Sequence, residues 1–391
     1  MDETFVASVF RRTSVALAIL VLLTASCRSA ERPLDADAGL KSEVEQLADR
    51  LAAADQFSGV VLLTHHGRSI VERAYGLADR DGPRANTSDT AFALGSVSKM
   101  FTAVLVAQLV EQNRVRLDAT IGSLLPDFPD GPAKSQVTVH QLLTMSSGIP
   151  DVFRLPAFWT ALARARTLSD FWPVFGTAPL EFPPGSKWAY SNSNFLVLGA
   201  IVEHGFGENF TTAAERRVFH PAGLAHTSYR AARSSHPARG YTHARPGAPL
   251  DSTPDPGRWY PAWEEDTGAA EPVAAPMGGG YSTAGDLVRF ADAVTGAQLL
   301  KRPTSERSTT GYVPADYGGR EGYGFETRVV NKVRILGHQG ASPGLSNQVD
   351  VYPDLGYVLV VLGNSDAGGT QEIANHVRTS ITGSAVRQTS E

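Results

Sequence analysis

Three short stretches of the chain hold residue types that can do acyl-transfer chemistry. The first is Ser96-Val97-Ser98-Lys99. Residues i and i+3 share one face of a helix, so the Ser96 hydroxyl and the Lys99 amine can meet. A lysine takes up a proton only when it is neutral, which burial promotes, and a serine beside such an amine is an activated nucleophile. The start of a helix adds free backbone N–H groups and a field that favours negative charge. The second stretch is Tyr190-Ser191-Asn192. A phenol near a cation can pass a proton between nucleophile and leaving group, and an asparagine amide both donates and accepts. The third is His338-Gln339-Gly340, at the end of a strand-like run, where a glycine lets a ligand come close to the backbone.

Each stretch has an ordinary alternative. With six Lys and 31 Ser in the chain, S-x-x-K arises readily by composition and then means an N-cap serine and a solvated lysine. Y-S-N, drawn from 11 Tyr and nine Asn, is rarer and more informative; its plain meaning is a turn with a packed tyrosine. The third can be a strand-end histidine, and His65-His66-Gly67 has the same form elsewhere. What favours chemistry at Lys99 is the helix around it. Residues 96–112 are apolar nearly all round and leave Lys99 no generous solvated face.

The elements that would position these residues follow from periodicity. Leu40, Val44, Leu47 and Leu51 have helical spacing over 39–54. Residues 57–64 and 69–76 read as a β-hairpin. Residues 115–230 carry helical patterns broken by Pro and Gly, with no strand run. Residues 232–276 hold eight of the 24 prolines together with Tyr241, Trp259, Tyr260 and Trp263, an irregular excursion whose aromatics either rim a cleft or pack the excursion itself. A helix is expected over 282–294, capped by Ser282 or Thr283, then strands at 333–337, 345–352 and 357–362, then a closing helix at 370–379. The simplest packing joins both β regions in one antiparallel sheet, with 115–275 as a helical insertion.

Composition excludes several classes. At 42% hydrophobic and 19% charged, the chain is neither disordered, collagenous nor a coiled coil. A net charge of −5 provides no basic field for nucleic acid. The single cysteine, Cys27, excludes an intrachain disulfide, a cysteine zinc finger and an iron–sulfur site. No His-Glu-x-x-His occurs among the ten histidines, so no metal or other cofactor is expected.

The N-terminus reads as an export signal. Arg11 and Arg12 precede an apolar run over 15–23, too short for a stable membrane span, followed by Thr24-Ala25-Ser26-Cys27. This resembles a bacterial lipoprotein lipobox, with Thr24 where leucine is usual. The resemblance implies cleavage before Cys27 and a lipid anchor on it. Plain secretion and an uncleaved anchor are the alternatives. Residues 1–27 are then the signal, 28–38 a tether, 39–381 the functional domain and 382–391 a tail, all outside the cytoplasm, in the periplasm or at the cell surface.

Taken together and in this order, the three motifs resemble those of the penicillin-recognising serine hydrolases: class C β-lactamases, D-alanyl-D-alanine carboxypeptidases and family VIII esterases. Leu117-Asp118-Ala119-Thr120-Ile121, Leu142-Leu143-Thr144-Met145-Ser146-Ser147-Gly148-Ile149-Pro150 and the stretch from Gly278-Gly279-Gly280 to Asp286-Leu287 look like further signatures, and the resemblance covers about residues 45–380. It implies an α+β fold, an antiparallel five-stranded sheet flanked by helices with a largely helical inserted part. It implies that Ser96 attacks a carbonyl and forms an acyl-enzyme, that Lys99 and Tyr190 share the base and acid work, and that Asn192 contacts the substrate and orients Lys99. The N–H groups of Ser96 and Ala341 would form the oxyanion hole, with His338 and Gly340 beside the substrate. The β-lactamases of this group usually have lysine where His338 stands. A neutral or partly charged imidazole holds a carboxylate less firmly, which favours a peptidase or an esterase.

The expected function is therefore an exported serine hydrolase acting on an amide or ester, carboxypeptidase-like or esterase-like. Its partners would be a small-molecule or peptide acyl donor, a peptidoglycan stem peptide or a β-lactam among them, and a membrane through Cys27. The alternatives are a class C-type β-lactamase and a non-catalytic envelope lipoprotein that binds penicillin or peptidoglycan. Gly340-Ala341-Ser342-Pro343-Gly344 also matches the G-x-S-x-G nucleophile elbow. That elbow needs a helix after the serine, whereas a strand pattern follows here, so Ser342 is expected in a loop beside the site.

Overall fold

The computed structural model describes residues 32–230, 237–243, 258–261, 273 and 275–388. Its centre is an eight-stranded antiparallel sheet. In chain order the strands are β1 (Gly59–His65), β2 (Arg68–Tyr75), β3 (Val313–Pro314), β4 (Arg320–Glu321), β5 (Glu326–Val330), β6 (Val333–Ser342), β7 (Leu345–Tyr352) and β8 (Tyr357–Gly363). Their spatial order is β2-β1-β8-β7-β6-β5-β4-β3. The two β regions of the chain thus meet where β1 pairs with β8, Gly59 opposite Gly363 and His65 opposite Tyr357.

The class of fold is as expected; the strand count is not. The sheet has three strands beyond the expected five, β3, β4 and β5, on the far side of β6. Two of them are two residues long, below the length at which alternation can be seen. In β5, Val329 and Val330 face solvent and blur the pattern. β6 is also longer than the expected 333–337 and runs to Ser342, so His338-Gln339-Gly340 lies inside a strand rather than after one.

Both faces of the sheet are covered, which explains why β1 is a continuous apolar run. Val61 and Leu63 point to one side, against α1 (Arg32–Ala53) and the closing helix Gly369–Gln388. Val60 and Leu62 point to the other, into the main core. That core is built around α2 (Lys99–Glu111), α3 (Asn192–Phe206) and α4 (Ala284–Thr295). A strand buried on both faces loses the polar–apolar alternation that a half-exposed strand keeps. Thr283 caps α4 by accepting from Asp286 N.

Helix bounds differ from expectation at both ends of the chain. α1 begins at Arg32, so residues 32–38 of the expected tether are helical, and the closing helix runs into the expected tail. The first described turns of α1 are pinned to the sheet. Asp37 accepts from His65 Nδ1 at 3.0 Å, Arg68 at 2.8 Å and the Tyr357 hydroxyl at 2.9 Å, and the His65 ring stacks on Tyr357. Within 232–276, Tyr241–Thr242 pairs with Tyr260–Pro261. The Trp259 indole donates to Asp55 at 2.6 Å, which puts it in the packing of the excursion. Trp263 lies outside the described residues.

Asp350, in the middle of β7, is buried and accepts from Arg378 of the closing helix through Nε at 2.6 Å and a second guanidinium nitrogen at 2.9 Å. Removing one partner of a buried, bidentate pair leaves an uncompensated charge, at a cost of about 3–5 kcal/mol. Arg378→Ala should lower the unfolding free energy by that order, measured by denaturant titration.

Candidate active site

Ser96 is positioned by backbone before it is positioned by side chains. Ala93-Leu94-Gly95 leads into a single 3-10 turn, Gly95–Ser98, from which α2 continues. The turn accounts for the expected helix starting three residues later than Ser96. Asn347 on β7 donates to the carbonyls of Ala93 at 2.8 Å and Leu94 at 3.1 Å. Leu94 N donates to Gly280 O at 2.9 Å. β6 presses against the same segment: a Cβ on Gly340 would lie 2.2 Å from Leu94 O. Gly340 is therefore required for the strand to pack against the nucleophile's approach. Gly95 itself has φ +53, a left-handed conformation that glycine adopts at little cost.

Four of the expected residues meet. Tyr190 and Ser96 hydroxyls are 2.6 Å apart. Lys99 Nζ donates to Ser96 Oγ at 3.0 Å, to Asn192 Oδ1 at 2.9 Å and to the Met277 carbonyl. Asn192 opens α3, and both its backbone N and its Nδ2 donate to Asp151 Oδ1, at 2.9 and 3.1 Å. That fixes the amide with its oxygen toward Lys99. The loop before Asp151 is tied to the same helix, Ser193 Oγ donating to Pro150 O and Ser147 Oγ to Asn194 Oδ1, both at 2.5 Å. Asp151 and the Met277 carbonyl were not legible in the sequence. Asp151 does follow Ser147-Gly148-Ile149-Pro150 directly, which was the available signal.

Ala341 completes the arrangement. Gln339 N points at Glu326 Oε1 on the β5 side of β6. Residues two apart on a strand point their N–H groups to the same edge. Ala341 N therefore faces that edge too, beyond Gly337, where the pairing with β5 stops. It also lies beside Gly95, the residue preceding Ser96. The Ala341 N–H thus lies on the unpaired edge of β6, next to the turn that carries Ser96.

Electrostatics follow from burial. Lys99 is 0% exposed, and desolvation pulls its ammonium down to about 7, with the negative fields of Asp151 and Glu321 pulling the other way. At neutral pH the amine is therefore partly free base. Burial pushes the Tyr190 phenol well above its ordinary range, so it is protonated and able to relay a proton. His338 is 2% exposed, and burial, with the nearby Lys99 charge, pushes it down to about 3. Its Nδ1 is 2.5 Å from Gln339 O and 3.8 Å from Glu326 Oε1. The ring is neutral and offers a substrate no positive charge.

Ser342 is exposed and is the last residue of β6, not in a loop as expected, its hydroxyl 3.5 Å from Pro343 O. Cys27 lies outside the described residues. Among the described residues no cluster of His, Cys, Asp and Glu could hold a metal ion, and no helix is long and apolar enough to cross a membrane.

A serine hydroxyl, a buried amine and a phenol brought together in this way can carry out serine acyl transfer. The Beta-lactamase family model matches residues 44–382, and the chain belongs to that family of serine hydrolases. It is 31% identical over 336 residues to "Esterase EstB" of Burkholderia gladioli, covering 75% of this chain and 78% of the relative. It is 27% identical to "Penicillin-binding protein 4*" of Bacillus subtilis (strain 168), covering 83% and 72%. Among solved structures, a penicillin-binding protein from Bacillus halodurans superposes with TM-score 0.71 at 27% identity, covering 83% of this chain and 98% of that one. The D-amino acid amidase of Ochrobactrum anthropi SV3 shares the fold, at TM-score 0.70 and 24% identity, covering 89% and 99%.

Because the amine loses its proton near neutrality, kcat/KM for any substrate should rise as pH climbs through about 7 and level off above it. A pH–rate profile from 5 to 9 checks this; an activity maximum on the acid side would contradict it.

Proposed function

We propose that the protein is an exported esterase. It passes the acyl group of an uncharged ester to Ser96 and then to water. The observation that carries this reading is the burial of His338, which pushes its imidazole toward the neutral form, in the motif where the β-lactamases it resembles usually have lysine. D-alanyl-D-alanine peptides and β-lactams both carry a carboxylate for such a lysine to hold; a simple ester does not. The 31% identity to a protein named as an esterase supports the same choice.

The steps follow from the contacts. Ser96 Oγ attacks the carbonyl carbon as its proton passes to neutral Lys99, directly or through Tyr190. The carbonyl oxygen becomes an oxyanion held by the Ser96 and Ala341 N–H groups, each such donor contributing about 3 kcal/mol. The C–O bond to the alcohol breaks, and the alkoxide takes up the proton held by Lys99 and Tyr190. Water then attacks the acyl-enzyme, yields a proton to the same pair, and the acid leaves as Ser96 regains its hydrogen. Asn192 keeps the amine aimed at Ser96 throughout.

Export rests on Arg11, Arg12 and the apolar run over 15–23, and anchoring on Cys27. Cys27→Ala should move the protein from the membrane to the soluble fraction.

The ester reading is tested with purified protein and three substrates: p-nitrophenyl butyrate, a D-alanyl-D-alanine peptide and a chromogenic cephalosporin. The ester should be preferred in kcat/KM by about tenfold or more, a difference of about 1.4 kcal/mol in transition-state binding. All turnover should vanish in Ser96→Ala. A peptide or cephalosporin handled as well as the ester would overturn the reading in favour of a carboxypeptidase or a β-lactamase.

A further inference from the structure

The hairpin that joins β5 to β6 is unlike the rest of the surface. Its seven residues, Arg328-Val329-Val330-Asn331-Lys332-Val333-Arg334, hold three cations and no acid. Val329 is 73% exposed and Val330 37%, two of the four large apolar side chains exposed among the described residues. Asn331 and Lys332 have φ +49 and +67, so the chain reverses within two residues and Val330 pairs with Val333 directly across the turn. Acids nearby are few. Arg334 is 3.5 Å from exposed Asp354, Arg328 is 3.4 Å from buried Glu326, and Asp316 is exposed in the turn between β3 and β4. Lys332 is exposed at the tip itself. Bared apolar side chains flanked by cations suit the boundary between the headgroups and acyl chains of an anionic bilayer.

The same end of the sheet receives α1. Asp37 joins α1 to His65 and Arg68 and to Tyr357, which pairs with Tyr352. The pairs Val351–Leu336 and Ile335–Arg328 carry that level across the sheet to β5. Val329 and Val330 lie one and two residues beyond it, four strand spacings or about 19 Å from β1. From Asp37, α1 runs back five residues to Arg32, about 7 Å at helical rise. Its other end leads to the start of β1, at the far end of the sheet, so Arg32 lies outward of Asp37. Five residues more reach Cys27, and they span at most about 18 Å. A lipid on Cys27 is thus confined to within about 25 Å of Asp37, at the end of the sheet where the two valines are bared. We propose that this hairpin tip is a membrane-contact surface: with the protein held through Cys27, Val329 and Val330 enter the headgroup layer and Lys332 and Arg334 meet anionic lipid phosphates. This rests on the anchoring reading given above. A tether alone leaves the molecule free to tumble; a second point of contact fixes its attitude to the bilayer.

The test uses the full chain with Val330→Cys, labelled at the introduced thiol with nitrobenzoxadiazole. The protein is reconstituted in vesicles of phosphatidylethanolamine and phosphatidylglycerol, with and without nitroxide-labelled lipid. A side chain in the headgroup layer lies about 5–10 Å into the bilayer, so the label at 330 should lose about half of its emission or more to the nitroxide. The same label on Ser342→Cys, at the other end of β6 and about 30 Å away, should lose little. Adding Val329→Asp to the Val330→Cys chain should cut the quenching about twofold or more, and so should replacing phosphatidylglycerol with phosphatidylcholine. No quenching at 330, equal quenching at 330 and 342, or quenching that Val329→Asp leaves unchanged overturns the proposal. A blue shift at 330 without nitroxide quenching marks a second copy of the chain as the occupant and overturns it too. A lipid on Cys27 leaves a single thiol to label. If the Val330→Cys chain takes two labels by intact mass, Cys27 is free; the anchoring reading then fails and takes the proposal with it.

Discussion

The whole site depends on keeping the Lys99 amine out of water. A lysine in apolar surroundings is tolerated only if it sheds its proton or finds strong partners, and here it does some of both. The partners come from distant parts of the chain: the Met277 carbonyl from the segment after the long excursion, Asn192 from the start of α3, Ser96 from its own turn. α2 is apolar all round because it must run through the core to bring the amine there. The fold can be regarded as a means of assembling a dry cage for one amine, with the hydroxyl to be activated set in its wall.

Rigidity of the second kind comes from backbone. Ser96 and Ala341 sit on different elements, and if they act on one carbonyl their separation has to be held to a fraction of an ångström. Asn347 ties β7 to the carbonyls before Ser96, and Gly340 lets β6 lie flush against Leu94 O. The turn that carries Ser96 is therefore held against the sheet by two strands.

What could be read from the sequence follows from which contacts carry a residue signature. Ser96, Lys99, Tyr190 and Asn192 meet because each of their roles demands a particular side chain, and spacing brings them into view. Met277 contributes a carbonyl, which any residue has, so no pattern announces it. Asp151 is one acid among 40 charged Asp and Glu residues, and its role comes from the turn that aims it. His338 was visible as a type; its burial was not, because the strand continues past the expected end at 337 and carries the ring inside. The missing strands are of the same nature. β3 and β4 exist because a sheet edge is there to pair with, and two residues have no periodicity of their own.

The register of the sheet has a geographical consequence. Ala341, Ser346, Gly363 and Gly59 form one row across β6, β7, β8 and β1. Arg68, His65, Tyr357 and Tyr352 form another, six residues along β1 and about 20 Å away. The first row includes Ala341, beside the turn that carries Ser96; the second holds Asp37 and so fixes where α1 joins the sheet. The attachment of α1 and the Ser96–Lys99 pair are thus at opposite ends of the β-sheet.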